Sequence, residues 1–265
     1  MNGELAQSIA LVAHGNAYLS NLDAAPPSLE AGNSVFRHVG SIAFRLLGGA
    51  TLTGTAAWYQ ELRRQGVERL SLRVPAVDPA LTVFANRLQG ILVAGRADGQ
   101  EWVAHNTVHD EHAPDRRIWA VLYSPHDATG EPGLDASSLD AASDELRAAI
   151  DAAETLARTA DELVGFAEPL SDARDLLAAG ASSRAQRDDD MLPPRGYGLQ
   201  ARQLVAGAKR AWVFGGMGSW NDMRPPQGPR RDAYELITRR LFDSVVGALV
   251  CATNSFDAAL DGPAA

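Results

Sequence analysis

From Leu139 onward the chain repeats apolar residues at alternating intervals of three and four: Leu139, Ala142, Leu146, Ala149, Ala153, Leu156, Ala160, Leu163 and Ala167. That spacing puts them all on one face of a helix, and alanine at many of the positions lets a neighbouring helix come close. Unbroken to Pro169, such a helix would be about 45 Å long at about 1.5 Å per residue. The seam predicts tight helix packing inside the protein, with a dimerising coiled coil as the alternative.

The residues before it follow a period of two instead. From Val35 to Leu47, Phe36, Ile42, Phe44 and Leu46 alternate with Arg37, Ser41 and Arg45, which predicts a half-buried strand with His38 on its apolar face. A threonine-rich approach, Thr51 to Thr55, leads into a helix through Trp58 and Leu62 that stops at Gly66. Leu70, Leu72 and Val74 alternate with Ser71 and Arg73 in a second strand. Asp78 and Pro79 then open a short helix carrying Leu81, Phe84 and Leu88 up to Gly90. Ile91 to Arg96 and Glu101 to His105 flank an Ala97-Asp98-Gly99 turn, and Arg117 to Ser124 supplies a further strand before a loop from Pro125 to Asp135. This order predicts an antiparallel meander rather than a parallel crossover sheet.

Beyond the seam, Ser171 begins a short helix that ends at Gly180. Ala181 to Gly198, with Arg184, Arg187, the triplet Asp188 to Asp190 and the pair Pro193-Pro194, reads as a solvated connection. An acidic triplet can hold a divalent ion, but more often it is only a solvated loop. Leu199 to Arg210 is helical, Ala211 to Phe214 a brief strand, and Arg231 to Thr253 a terminal helix with Tyr234, Ile237, Leu241, Val245 and Leu249 inward. The expectation is an α+β fold: a mostly antiparallel sheet in residues 1–135 packed with a helix-rich region, 136–265, as one unit.

An apolar content of 46% with 22% charged residues is that of a folded globular chain. A net charge of −9 argues against a nucleic-acid partner, since phosphate binding needs concentrated positive charge. Glu4 stands where a secretory signal would carry a basic residue, and no apolar run nears the roughly 20 residues that span a bilayer. The single cysteine, Cys251, lies in the apolar terminal helix; it suits a reducing compartment and is a poor nucleophile. Lys209 is the only lysine, and the arginine and alanine bias is that of a GC-rich, bacterial genome. A cytoplasmic bacterial protein without membrane association or cofactor is expected.

Two segments are able to carry chemistry. His105, His109 and His112, with His126 nearby, would share one face of a helix at zinc-ligand spacing. Their surroundings instead suggest a polar loop between strands, and the His-Glu-x-x-His order of metalloproteases is missing, so no metal is assigned. The second segment is Trp212-Val213-Phe214-Gly215-Gly216-Met217-Gly218-Ser219-Trp220-Asn221-Asp222. Its glycines let backbone amides approach a ligand, Ser219, Asn221 and Asp222 offer donors and acceptors, and Trp220 offers a stacking surface. A small polar or anionic ligand would suit it, with Lys209 and Arg210 adjacent. It is neither a phosphate loop nor a nucleophile elbow. The plain alternative is a tight turn whose tryptophans pack on the terminal helix while Asn221 or Asp222 acts as a cap.

The early Ala13-His14-Gly15-Asn16 and the late Gly216 to Asp222 strings, the latter followed by a long terminal helix, resemble a group of uncharacterised bacterial proteins with no established activity. The resemblance implies a cytoplasmic protein outside the standard enzyme families and favours the glycine loop as the site. The ligand-binding candidates are therefore Gly215, Gly216, Gly218, Ser219, Trp220, Asn221 and Asp222, with His14 and Asn16 able to converge on them, although an unlinked structural role for each of these two is the plainer expectation. The leading expectation is a non-catalytic binding or protein-interaction protein, accessory or immunity-like. The rivals are a hydrolase or transferase pairing the loop with a histidine (His14, His38 or one of His105 to His126) and a helical oligomerisation module.

Overall fold

The computed structural model describes residues 1, 3–75, 91–94, 100–127, 138–178, 190–223, 225 and 227–261. The chain enters through helix α1, Gly3–Leu19, followed by strand β1, Val39–Arg45, strand β2, Thr51–Thr53, helix α2, Thr55–Arg64, and strand β3, Leu70–Arg73. Strands β4, Ile91–Ala94, β5, Gln100–Val108, and β6, Trp119–Asp127, complete the sheet. Helices α3, Leu139–Thr159, α4, Ala167–Leu177, α5, Leu199–Arg210, and α6, Pro229–Asn254, make up the second half. The fold is α+β, as the two periodicities require. No helix among the described residues is long and apolar enough to cross a membrane.

The sheet has the order β2-β1-β6-β5-β4-β3. From β3 to β6 it is the expected antiparallel meander, and β1 and β2 form a second antiparallel pair. The two units join through a parallel pairing of β1 with β6, Phe44 facing Tyr123, which the sequence pattern did not anticipate. On the inner face Phe44 stacks between Trp58 and Tyr123 at centroid distances of 4.3 and 5.1 Å, and Trp102 meets Phe44 and Trp58 edge-on. Such offset and edge contacts are the favourable geometries of aromatic quadrupoles.

Helix α1 lies between this sheet and the C-terminal helices, touching β3, β4 and α2 on one side and α6 on the other. Because it is enclosed, residues on every side of it are buried, including the polar Gln7, Ser8 and Asn16. A helix apolar all round has no solvent face to offer, which suits only an interior position. Ser8 donates to the Glu4 carbonyl at 2.9 Å and Gln7 to that of Val35 at 3.4 Å. Glu4 accepts a bond from Asn106, and burial raises its carboxyl above the ordinary value.

Several expectations are corrected. Strand β1 begins at Val39, because Ser34–Phe36 forms a 3-10 turn capped by Asn33. A register shift between Val39 and Ser41 changes the alternation, so Val39 joins Ile42 and Phe44 on the buried side while His38 is exposed. Strand β5 continues past His105 to Val108, and β6 runs through Pro125 to Asp127. Pro125 is tolerated because pairing with β1 has ended by Tyr123, leaving β5 as the neighbour there. Val213 and Phe214 are buried but form no strand. The expected helix at 78–90 and turn at 97–99 lie outside the described residues, as do Gly180 and the loop's 128–135.

The Leu/Ala seam is not one helix. Ala160 adopts an extended conformation (φ −128°, ψ 117°), a 3-10 turn spans Asp161–Phe166, and α4 starts at Ala167 rather than at Ser171. Pro169 sits in the first turn of α4, where its missing N–H has no intrahelical partner to lose. The break folds α4 back on α3, and α6 covers α3 from another side, so the seam from Ala142 to Ala167 is buried within the chain. Glu154, itself buried, ties the turn together by accepting from Arg158 at 2.6 Å and from Arg174 of α4 at 3.0 Å.

Candidate functional site

The glycine loop begins where α5 ends and is anchored from behind by aromatic packing. Trp212, Phe214 and Phe242 of α6 form a cluster with centroids 5.2 to 6.1 Å apart. Trp220 is fully buried; it stacks on Tyr234 at 5.7 Å, meets Phe166 edge-on at 5.5 Å, and donates its indole N–H to the Thr238 hydroxyl at 2.8 Å. Tyr234 in turn donates to the Trp220 carbonyl at 2.5 Å. Both tryptophans thus lie against the terminal helix.

Between these anchors the loop is closed by its own polar groups. The Trp220 N–H reaches the Val213 carbonyl at 3.0 Å. Asn221 Oδ1 accepts from the Gly215 N–H at 3.0 Å and from the Ser219 hydroxyl at 2.8 Å. Asp222 Oδ2 accepts from the Gly218 N–H at 2.9 Å. Gly218 has a φ of +79°, the left-handed region, so a side chain there would strain the turn. Met217, at the tip, is 94% exposed. Lys209 is exposed, and Arg210 pairs with Asp172 of α4 at 2.6 Å.

His14 and Asn16 serve other partners. Asn16 Nδ2 donates to the Leu70 carbonyl at 2.9 Å and its Oδ1 accepts the Leu70 N–H at 2.7 Å. At the far end of α6, Asn254 does the same for Leu72, at 2.9 and 2.7 Å. Leu70 and Leu72 are the residues of β3 whose backbone groups point away from β4, so two side-chain amides occupy the place of a further strand. Gly15 completes the fit: a β-carbon there would lie 2.7 Å from both Leu70 Cδ1 and Tyr59 Cε1. Asn254 carries no local sequence signal for this role, being one more residue at a helix end.

His14 faces a cleft of about 400 Å³ lined by Ser28, Asn33, Asp190, Leu192, Pro194 and Arg202 among others. Its Nε2 meets the Asp190 carbonyl at 2.9 Å, which also accepts from Asn33 at 2.5 Å. Desolvation lowers the His14 pKa below the ordinary value, opposed in part by the Asp190 carbonyl. Asp190 is held below the usual carboxylate range chiefly by hydrogen bonding to Ser34, whose N–H lies 3.0 Å from Oδ2. Asp188 and Asp189, its companions in the acidic triplet, lie outside the described residues.

The histidine segment is spread along the sheet. His105 belongs to β5 and faces Leu122 of β6, its ring 6.2 Å from that of His126. His109 stands at the strand end and His112 in the exposed turn beyond. Among the described residues no three histidine, cysteine or acidic side chains are gathered closely enough to hold a metal ion. Cys251 is buried, and desolvation raises its thiol above the ordinary value.

Chemically, the loop is a braced turn. Ser219 donates to an amide oxygen, which cannot take its proton as a base would. Compared with protein-family models, with characterised proteins and with solved structures, the chain matches none.

Proposed function

We propose that this is a non-catalytic binding protein, an accessory or immunity-like partner of another protein in a bacterial cytoplasm, and that it presents the Gly215 to Asp222 loop as its contact. The observation that carries this reading is the loop's division of labour. Ser219, Asn221 and Asp222 brace the turn from within, while Met217 projects from its tip almost fully exposed. A pre-organised loop loses little conformational freedom on binding, and an exposed methionine is a soft, adaptable contact. The rival hydrolase or transferase reading requires a histidine or carboxylate beside the Ser219 hydroxyl, where Asn221 now sits.

Site-specific photocrosslinking tests the proposal. A crosslinker replacing Met217 should capture one defined protein in cells of the source organism, and the same crosslinker replacing the also exposed Leu236 of α6 should not. Capture from position 236 alone would remove the loop from the interface. Turnover of an ester or acyl substrate that disappears in Ser219→Ala would replace the binding reading with the enzymatic one.

A further inference from the structure

The two edges of the sheet are treated differently. On β3 the outward N–H and C=O groups of Leu70 and Leu72 are engaged by Asn16 and Asn254. On β2, the other edge, the outward groups can be identified from the ladder. Leu46 donates to Ala50 at 2.7 Å and Gly54 to Ile42 at 2.9 Å, so Ala50, Leu52 and Gly54 turn their backbone groups toward β1. Alternation then directs the N–H and C=O groups of Thr51 and Thr53 away from the sheet. Both threonines are exposed, and among the described residues no hydrogen bond engages these groups.

An open edge is a template for a further strand, and proteins ordinarily blunt it with lysine, proline or a covering side chain. From Leu46 to Ala57 the chain has no charged residue and no proline. The segment is also complementary to itself. In an antiparallel pairing about a two-fold axis through Leu52, Thr51 of one protomer faces Thr53 of the next, and each such pair exchanges two backbone hydrogen bonds. Leu52 then meets its own copy in the closer, non-hydrogen-bonded position on the face that carries Phe44. Nothing in that register sets like charges against one another.

We propose that β2 is a homodimerisation edge, joining two copies of this chain into one continuous sheet through Thr51, Leu52 and Thr53. The strand is short, so the dimer is weak and forms with rising concentration. This edge is built from residues apart from the glycine loop, and the inference stands independently of what that loop binds.

Sedimentation of the full chain over about 2 to 200 µM tests it by mass action. The wild type should pass from monomer to dimer mass. Thr53→Pro removes an outward N–H that the β1–β2 ladder does not use and should leave a monomer throughout. Because proline could also disturb folding, two charged doubles provide the decisive pair. Thr51→Lys with Thr53→Lys sets like charges opposite each other and should abolish the dimer. Thr51→Lys with Thr53→Glu sets opposite charges together and should retain it. A wild type monomeric across the range, or a dimer indifferent to all three variants, would overturn the proposal.

Discussion

Asn16 shows how much one polar side chain can carry when it is buried. Its amide supplies both a donor and an acceptor to Leu70, so Asn16→Ala leaves an N–H and a C=O of β3 uncovered in the interior. Each such group costs about 1–3 kcal/mol, and the variant should lose about 2–4 kcal/mol in urea unfolding. An unchanged midpoint would show the edge to be indifferent to its cover. His14, at the cleft beside Asp190, has its pKa lowered by desolvation. Its folded pKa is below the ordinary 6.5, so the native state binds fewer protons than the unfolded chain below that pH. The associated stability is present above 6.5 and is lost as pH falls toward the folded pKa. Comparing unfolding at about pH 7.5 and about pH 5.5, His14→Gln should lose less stability on acidification than the wild type.

At the scale of elements, the break between α3 and α4 matters more than the length of either. The turn at Asp161–Phe166 folds the apolar stripe onto itself, so that α4 packs on α3 within the chain. Glu154 is the clasp, accepting from an arginine on each side of the turn. Glu154→Gln keeps the shape but removes the charge from those bonds, and should cost about 1–3 kcal/mol in chemical denaturation. An effect near zero would mean that apolar packing alone closes the helix pair. Ala153, fully buried in the seam, should reject added bulk: Ala153→Leu is expected to destabilise by about 1–3 kcal/mol in the same measurement.

For the molecule as a whole, α1 is the shared wall. It contacts β3 and β4 of the sheet and α6 of the helical layer, and α6 also reaches β3. Neither layer keeps its apolar surface covered without it. Calorimetry should therefore show one unfolding transition, with calorimetric and van't Hoff enthalpies in agreement. Two separated transitions would show the sheet and the helical layer to be independent.

Local periodicity determined which stretches become strands and which become helices: the alternation around Ile42 and Phe44, the meander, the α5 and α6 helices and the buried side of the Leu/Ala seam all follow from apolar spacing along a few residues. The glycine loop was legible for a similar reason, since Gly218 and the polar residues after it announce a tight turn. What tertiary structure decided are the relations between distant segments. The bulge after Val39 moved His38 to solvent, the break at Ala160 converted one helix into two, and the parallel seating of β1 beside β6 joined two sheets into one. Most of all, it placed Asn16 and Asn254 side by side along β3, although 238 residues separate them. A lone asparagine in a helix has no local partner to reveal its purpose; only the approach of an uncovered strand edge gives its amide something to bind.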